Sequence, residues 1–403
     1  MTDVLILGAG LVGTTLSTAL AAHGLTSIVV DPADPAAILA PGHDGRASAV
    51  ASASHRMLDA IGVGARLAGE GNPIRSLRVS DGLAPGKLDF VPDEDDGALG
   101  TMYENRTLRR ALHAAASESP HVDLRMQRRA VSIDRGPAGV TATLDDGAVV
   151  KTRLLVAAEG RRSPTREAAG INVARWQYDH VAMIATFNHA LPHGDCAYEI
   201  FYPAGPFAIL PLKDDERGHR SALVWTVDAK DAPGMLKLSD RAWLAEAEKR
   251  MGGFLGGLGP VSPRTSYPLG FHHAARLTAE RLALVGDAGH GIHPIAGQGL
   301  NLGFRDVAAL VEVLVEGKRL GLDVGDGELL KRYERWRGFD TLMVAGATDT
   351  LTRLFGVPGK TASAVRRFGI SAVDSIAPLK ARFMAEARGE SGDRPKLLTG
   401  VLA

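Results

Sequence analysis

Six consecutive residues near the amino terminus have the composition and spacing of a phosphate-binding turn. The turn Gly8-Ala9-Gly10-Leu11-Val12-Gly13 follows an apolar run and precedes a segment of helical composition. In a G-x-G-x-x-G turn the first glycine permits a tight bend, the second lets the backbone approach a pyrophosphate, and the third lets helix and strand pack closely. The phosphates then lie at the positive end of the helix. This pattern predicts a dinucleotide site.

A carboxylate at the appropriate distance supports that prediction. Asp31 ends the second β-branched run, at the spacing of about 20 residues at which an acidic side chain binds the adenosine ribose. A cap for the turn that begins at Pro32 is the alternative role for Asp31. The motif by itself does not distinguish NAD from FAD.

A second glycine-rich turn lies far along the chain. An apolar run ends at Gly286-Asp287, and a loop rich in glycine then leads into a helix that starts near Gly299. Successive backbone N–H groups and the helix dipole would face an electron-rich ring edge, and Asp287 would bind a sugar-alcohol hydroxyl. A simple NAD dehydrogenase has no use for such a second turn, so the two turns together indicate FAD.

This second turn resembles the flavin motif of the class A flavoprotein hydroxylases, the group that includes para-hydroxybenzoate hydroxylase. The resemblance implies that the aspartate binds the ribityl chain of FAD and that the following proline and glycines lie beside the isoalloxazine. By resemblance these roles fall to Gly286, Asp287, Pro294, Gly297, Gly299, Leu300 and Asn301.

The same resemblance implies a catalytic environment built from backbone rather than from a side-chain base. The backbone of Gly297, Gln298 and Gly299 is expected to stabilise charge on the flavin. Pro294 would form a wall of the flavin site without presenting a donor, because proline has no N–H. His290 and His293 flank the loop and suit either a proton relay or ordinary hydrogen bonding to the backbone.

Three further segments resemble cofactor-binding parts of this family. The segment 157–166 resembles A-D-G-x-x-S-x-x-R, which helps to bind FAD and the pyridine nucleotide, although Glu159 replaces the usual Asp. The segments 44–47 and 104–108 resemble an Arg-containing loop over the flavin and a cofactor-contacting helix start. Arg46, Asn105 and Arg106 are therefore candidate FAD contacts, with surface caps as the alternative.

The resemblance narrows to the ubiquinone-biosynthesis hydroxylases of the UbiH, UbiI and UbiF type, and it spans nearly the whole chain. Beyond the FAD motifs it rests on 205–212, 221–225, 267–269, 333–337, 345–349, Phe355 and 378–380. It implies that NADPH or NADH reduces FAD, that O2 adds to give a C4a-hydroperoxyflavin, and that a polyprenylphenol ring is hydroxylated. A hydroxylase of small soluble aromatics, a prenyl-chain reductase and a flavin-binding accessory subunit remain alternatives.

Four apolar residues are candidates for contacts with the lipophilic aromatic substrate: Phe201, Pro206, Phe207 and Leu210. They could line a pocket for an aromatic head and a prenyl tail, or they could be ordinary sheet core.

The elements that must position these residues predict an α/β protein. A non-contiguous Rossmann-like FAD-binding domain would comprise 1–72, 95–171 and 271–345. A β-sheet substrate domain (73–94 and 172–270) would be inserted in it, and a helical region (346–403) would follow. Helices are also predicted near 47–61 and 105–118, and the polar residues 389–403 are expected to form a frayed tail.

Composition excludes several classes of protein. The 403 residues are 45% hydrophobic and 23% charged, as in globular chains. Lys plus Arg and Asp plus Glu number 46 each, so no net field would attract nucleic acid. The single cysteine, Cys196, excludes an internal disulfide, a multi-cysteine zinc site and an iron–sulfur cluster, and it favours a reducing cytoplasm.

One segment suggests an association beyond the substrate. Residues 360–388 alternate basic and apolar side chains, so an amphipathic helix here would contact a membrane or a protein of a quinone-biosynthesis complex. A solvated helix face packed on the FAD domain is the alternative. No apolar run reaches the roughly 20 residues of a membrane span. We therefore expect a cytoplasmic protein, either free or peripheral at the inner membrane.

Overall fold

The structure is a computed structural model that describes residues 1–40, 45–83, 87–93, 97–291, 298–338, 373 and 375–403. Its strands are β1 (Thr2–Leu7), β2 (Ser27–Asp31), β3 (Ala47–Ala51), β4 (Asn72–Ile74), β5 (Ser76–Asp81), β6 (Lys87–Phe90), β7 (Gly100–Glu104), β8 (Val122–Met126), β9 (Ala130–Gly136), β10 (Gly139–Leu144), β11 (Val149–Ala157), β12 (Val173–His189), β13 (Cys196–Tyr202), β14 (Gly205–Asp215), β15 (Gly218–Asp228), β16 (Leu258–Val261), β17 (Thr265–Ala274), β18 (Thr278–Ala279), β19 (Leu282–Leu284) and β20 (His290–Gly291). Its α-helices are α1 (Leu11–Ala22), α2 (Pro35–Ile38), α3 (Ser52–Ala60), α4 (Gly64–Leu67), α5 (Asn105–Glu118), α6 (Pro164–Ala168), α7 (Ala232–Lys237), α8 (Asp240–Met251), α9 (Gln298–Arg319), α10 (327–338) and α11 (Ala377–Ala387).

The first sheet has β1 in its interior. The strand order β18-β19-β11-β1-β2-β8 makes β1 a parallel neighbour of both β11 and β2, while β11 is parallel to β19. Side chains on both faces of β1 are buried, Val4 and Ile6 in one apolar cluster and Leu5 and Leu7 in another. A continuous apolar run is typical of a parallel strand covered on both faces. The predicted βαβ unit and the α/β fold class are confirmed.

The parallel order brings four chain segments to one edge of this sheet. Because β1, β2, β11 and β19 run in the same direction, the residues that follow them all emerge at the same side. The chain order reverses around β1, which is where open α/β sheets bind their ligands. The two glycine turns and the segment 157–166 therefore lie at one edge.

The second sheet is mainly antiparallel and carries the order β20-β17-β12-β15-β14-β13-β5-β6. Its strands β5 and β6 come from an early part of the chain: β5 pairs with β13 of the 173–274 region, and β6 pairs with β5. The predicted domain boundaries themselves remain a prediction. One face of the sheet packs on α7 and α8 through Phe207, Trp225 and Trp243. These two helices were not predicted, because the aromatic residues of the region dominated its sequence pattern.

A small third sheet, β3-β7-β4, differs from the prediction of a helix over 47–61. Residues Ala47–Ala51 form β3, which pairs antiparallel with β7, and the helix α3 begins only at Ser52. The alanine-rich composition favours a helix, but pairing with a neighbouring strand overrides that weak local preference. The helix predicted over 105–118 is confirmed as α5.

The prediction of a frayed tail over 389–403 is wrong. Leu397 and Leu398 are fully buried in the core of the first domain. The backbone N–H of Ala403 donates to Nε2 of His23 at 2.8 Å, and Arg319 donates to the Ala403 carbonyl at 2.7 Å. In this segment Lys396 pairs with Glu312 and Glu316 of α9, and Glu390 pairs with Arg56 of α3. A composition average does not reveal such pairing.

Helix α11 is a described part of the predicted helical region 346–403, and α10 precedes that region in the chain. Residues 339–372 and 374 lie outside the described residues. Within the described ranges, every helix falls short of the combined length and apolar character that crossing a bilayer requires.

Candidate functional site

The first glycine turn is held by contacts that exclude side chains. A Cβ at Gly13 would overlap the carbonyl oxygen of Gly8, and a Cβ at Gly8 would overlap that of Ala158, at the end of β11. Gly8 also has φ +107°, in the region that favours glycine. Backbone therefore packs on backbone where β1 meets β11.

Gly10 is different, because a Cβ there would meet no protein atom within 4 Å. Its φ of −69° is available to any residue. The packing of the protein therefore does not require glycine at this position, whereas an unobstructed approach of a phosphate to the backbone at the start of α1 does. The predicted division of roles among the three glycines fits this geometry.

The second glycine turn packs directly against the first. Gly286 has φ +58°, and a Cβ built on it would lie 3.1 Å from Cγ2 of Val12. A Cβ at Gly303 in α9 would lie 2.7 Å from the same atom. Two motifs separated by most of the chain are thus in contact, as a single extended cofactor bound to both would require.

Both turns open into one cavity of about 650 Å3, a size usual for ligand sites. Leu11, Val12, Asp287, Gly299, Leu300 and Asn301 line the cavity at the two turns. Apolar residues of the second sheet line it elsewhere: Ile184, Ala197, Ala208, Leu210, Ala222 and Val224.

Asp287 lies in the cavity wall with a supported backbone and an accessible carboxylate. His272 donates its Nε2–H to the Asp287 carbonyl at 2.8 Å, and burial lowers the pKa of His272 to about 4, so this imidazole is neutral at neutral pH. The carboxylate Oδ2 lies 3.9 Å from Nε of Arg161. Tyr267 and Arg46 line the same part of the cavity. Burial raises the pKa of Tyr267, so its hydroxyl remains protonated and can donate a hydrogen bond.

A buried ionic cluster holds the second turn in place. The Oδ2 atom of Asp306 in α9 accepts from the Gly286 N–H at 2.8 Å and contacts Nε2 of His290 at 2.6 Å. Its Oδ1 accepts from Nε of Arg337 in α10 at 2.8 Å. Burial alone would raise the pKa of Asp306, but His290 and Arg337 outweigh it and lower that pKa. His290 thus has a structural role, and His293 lies outside the described residues.

Asp31 and Glu159 are both engaged in hydrogen bonds to the protein. The Asp31 carboxylate accepts from the backbone N–H of Ala9 at 2.6 Å and of Ala33 at 2.7 Å, so it holds the glycine turn as well as the turn after β2. Glu159 accepts from the Ser163 hydroxyl at 2.6 Å, beside the start of α6. Its longer side chain therefore folds back on its own loop.

The segment after Glu159 is linked to the second turn through Arg166. This side chain is fully buried, and its Nη1 donates to the carbonyl of Ala288 at 3.0 Å. The resemblance to A-D-G-x-x-S-x-x-R thus includes an arginine that ties two cofactor motifs together.

The other predicted cofactor contacts stay predictions, and the structure places two of them at the cavity. Arg46 and Asn105 line it, and Arg106 pairs with Glu104 at 3.3 Å. Arg109, which was not among the predicted residues, lies one turn further along α5 and borders a small cavity beside Ala9 and Leu11. Its spacing of three residues from Arg106 was the available signal.

Asn301 uses its side chain to hold β3. Its Oδ1 accepts from the Ala51 N–H and its Nδ2 donates to the Ala49 carbonyl, both at 2.9 Å. A contact from Asn301 to a cofactor would therefore come from its backbone, at the start of α9. Pro294 and Gly297 lie outside the described residues, and of Gln298 only the helical backbone is described.

The four candidate substrate residues do not share one environment. Leu210 lines the cavity. Phe207 points to the opposite face of β14, where it is buried against Trp225 at 5.4 Å between ring centroids. Phe201 packs with Leu88 in a separate apolar cluster, and neither it nor Pro206 lines the cavity. Strand alternation places Phe207 on the face opposite Leu210, whereas Phe201 and Pro206 are on the face of Glu199 and Ala208 but lie further along their strands. The apolar sequence did not indicate which face was which.

Glu199 is a cavity residue that the sequence analysis did not identify. It lies on β13, is 6% exposed and lines the cavity among the apolar residues of the second sheet. A glutamate within an apolar strand was the available signal, because a buried carboxyl requires a specific reason.

The arrangement fits an FAD molecule. The open backbone at Gly10 and the amino terminus of α1 suit a pyrophosphate, and the Asp287 carboxylate suits the hydroxyls of a ribityl chain. The amino-terminal end of the 22-residue helix α9 lies at the same cavity, where its dipole favours negative charge.

Comparisons with known proteins agree with this geometry. A family model described as an FAD binding domain matches residues 1–338. The chain is 47% identical over 402 residues to the ubiquinone hydroxylase UbiL of Rhodospirillum rubrum, with 99% of this chain and 93% of that protein covered. It is 33% identical over 393 residues to the 3-demethoxyubiquinol 3-hydroxylase of Escherichia coli, with 96% and 98% covered.

Solved structures show the same fold at lower identity. The p-nitrophenol 4-monooxygenase PnpA of Pseudomonas putida superimposes with a TM-score of 0.80 at 19% identity, covering 98% of this chain and 99% of that one. The FAD-dependent monooxygenase-like PqsL of Pseudomonas aeruginosa gives a TM-score of 0.71 at 23% identity, covering 92% and 99%.

The substitution Gly10→Ala should weaken FAD binding without disturbing the fold. Its methyl group meets no protein atom, so the free energy of unfolding of the apoprotein should change by less than about 1 kcal/mol. The same methyl occupies the approach to the phosphates, and the Kd for FAD should rise roughly tenfold or more, about 1.4 kcal/mol. Titration of apoprotein with FAD measures this. Gly136→Ala, also in open space, is the control, and equal FAD affinity in both variants would contradict the assignment.

Arg337→Met should destabilise the protein strongly because it leaves Asp306 in the core without its main counter-charge. The side chains of this pair are 1% and 0% exposed, so we expect a loss of about 3–5 kcal/mol in urea unfolding. Arg332→Met, in the same helix, breaks a half-exposed pair with Glu316 and should cost about 1 kcal/mol or less. Similar losses in the two variants would show that the cluster does not hold the second turn.

Proposed function

This chain belongs to the FAD binding domain family, and we propose that it hydroxylates the aromatic ring of a polyprenylphenol in ubiquinone biosynthesis, with O2 as the oxygen source and NADPH or NADH as the electron donor. The observation that carries this proposal is the cavity that joins the two glycine turns to an apolar sheet face. The identity to the ubiquinone hydroxylase UbiL over almost the whole chain supports the substrate class.

The residues at the end of the cavity that the two glycine turns form would bind and orient the cofactor. Gly10 and the start of α1 would hold the pyrophosphate, and Asp287 the ribityl hydroxyls. FAD, when bound, supplies the electron transfer and the activation of O2. The backbone at the start of α9 would stabilise negative charge that develops on the ring.

The end of the cavity that the second sheet lines would bind the substrate and exclude water. Ile184, Leu210 and Val224 present apolar surface to it, which suits an aromatic ring with a prenyl tail. Exclusion of water protects a reactive oxygen-transfer step from side reactions. Phe207 is not part of this proposal, because it lies on the other face of the sheet.

The test is oxygen transfer by the purified protein. With FAD, NADPH and a short-chain prenylphenol, isotopically labelled O2 should place one labelled oxygen on the ring, as read by mass spectrometry. Asp287→Asn should lower the rate together with the flavin content, whereas Asp326→Asn, in an exposed turn before α10, should leave both unchanged.

Each other result contradicts the proposal. Hydroxylation only of small phenols without a prenyl chain would favour the soluble-aromatic alternative. A flavin that NADPH and NADH both fail to reduce would favour an accessory subunit. Label that enters the ring from water would exclude a monooxygenase.

We also propose that α11 makes a peripheral contact with the cytoplasmic face of the inner membrane. Ile376 and Phe383 expose 49% and 42% of their surface, and Lys380 and Arg382 accompany them in the same helical segment. Apolar side chains flanked by cations are typical of helices that lie in the interface of an anionic bilayer. A lipophilic substrate would reach the cavity from that interface.

Flotation with anionic liposomes tests the membrane contact. The double substitution of Ile376 and Phe383 by serine should shift the protein from the floating to the bottom fraction. The matched control replaces Val401 and Leu402, which are 58% and 45% exposed at the carboxyl terminus, and it should float like the wild type. Equal flotation of all three proteins would refute the contact, and so would flotation of none of them. A partner protein of a biosynthetic complex would then be the better occupant of this face.

A further inference from the structure

Glu199 is placed where the substrate ring would be bound under the proposed function. Its side chain is on the cavity face of β13, and its neighbours in register are Ala208 on β14 and Val79 on β5. Three alanines of the second sheet, Ala197, Ala208 and Ala222, line the same cavity. Short side chains on the surrounding strands leave space beside the carboxyl for a planar ring.

Among the described residues, burial is what acts on the Glu199 carboxyl. Burial raises the pKa of this group, and neither a hydrogen bond nor a nearby charge contributes to that pKa. Burying an unpaired carboxyl is costly, and natural proteins keep such groups where a ligand or a reaction uses them. The presence of this carboxyl in an apolar part of the cavity therefore requires an explanation, and binding of a cofactor at the two glycine turns does not provide one.

The charges that line the cavity belong to its other end. Besides Glu199, the titratable side chains of the lining are Arg46, Arg161, Tyr267 and Asp287. Arg161 lies 3.9 Å from Asp287 of the second turn, and the charges of Arg46 and Arg161 act on Tyr267. On β5, Val79 is the register neighbour of Glu199, and the buried Asp81 lies two residues further along the same face. Burial, rather than any of these charges, raises the pKa of Glu199 to about 8.

We propose that Glu199 binds the hydroxyl group of the phenol substrate and accepts its proton, an inference that rests on the proposed function. The O–H bond of the phenol breaks, the proton moves to a carboxylate oxygen, and the electron pair remains on the phenol oxygen. That pair raises the electron density of the ring carbon that is hydroxylated. After oxygen transfer this carbon loses its hydrogen to solvent as a proton, and Glu199 returns its own proton to the phenol oxygen.

The chemistry of the group suits this role. A phenol has a pKa of about 10, and an ordinary carboxylate, near 4.3, is too weak a base to remove its proton efficiently. In the folded protein the pKa of Glu199 is about 8. General bases work best when their pKa lies near the operating pH. Burial moves the pKa of Glu199 from that of an ordinary carboxylate toward the operating pH.

The pH dependence of turnover tests the proposal. With a short-chain prenylphenol, kcat/KM of the wild type should rise with pH and level off above about 8, because the carboxylate form is the active one. Glu199→Gln should lower the maximal kcat/KM by roughly 10²- to 10⁴-fold and abolish the increase of kcat/KM with pH. Glu199→Asp keeps a carboxylate, so its kcat/KM should still increase with pH, although the values should be lower than those of the wild type. Glu246→Gln, on the surface of α8, should match the wild type.

Binding of phenol itself gives a second readout that needs no turnover. Free phenol stays protonated below its pKa of about 10, so the wild type should bind it more tightly as the pH rises through about 8, where the Glu199 carboxylate forms and accepts a hydrogen bond from the hydroxyl. The Glu199→Gln variant should bind phenol with a Kd that does not change over this pH range. The variant should fold normally, because the amide has the same shape and is not charged, and its flavin content and thermal transition verify this.

The outcomes separate this inference from the proposed function. A kcat/KM of the wild type that falls as the pH rises would overturn the role of Glu199 while leaving the hydroxylase intact, and so would a Glu199→Gln variant whose pH profile and phenol binding equal those of the wild type. A wild type that binds phenol more tightly above a pH of about 8 but hydroxylates no prenylphenol would support the proton acceptor and refute the substrate class.

Discussion

Close packing against glycine backbone at the ends of three parallel strands is the constraint on which the site depends. Gly8 lies against Ala158 at the end of β11, and Gly286 lies against Val12 at the start of α1. Side chains at these glycines would push the strand ends apart. Because they are absent, residues from the beginning, the middle and the last third of the chain reach one cavity, and a single long cofactor can span them.

The position of the second turn depends in addition on charge that is removed from water. Asp306 is fully buried and joins the turn to α10 through Gly286, His290 and Arg337. A buried ion pair is held strictly because breaking it leaves an uncompensated charge. Tyr333, also in α10, donates to the carbonyl of Leu284 at the end of β19. The helices beyond the flavin motifs are therefore part of the machinery that shapes them.

The two ends of the cavity have different electrostatic characters. Arginine side chains, a buried tyrosine and the helix α9 surround the end where a charged cofactor would lie, while the end formed by the second sheet is apolar except for Glu199. An apolar site strengthens every electrostatic interaction within it. The pKa of Glu199 is raised because burial at this apolar end disfavours the charged form of its carboxyl.

The sequence by itself determined the cofactor class and the βαβ unit, because glycine turns and strand periodicity are local patterns whose physical requirements are read along the chain. Tertiary structure decided what depends on neighbours distant in sequence. Pairing with β7 turned residues 47–51 into a strand, burial ordered the tail around Leu397, and sheet packing assigned Phe207 to the core and Glu199 to the cavity. The two faces of a strand have the same local pattern, and only the element packed against each face distinguishes them.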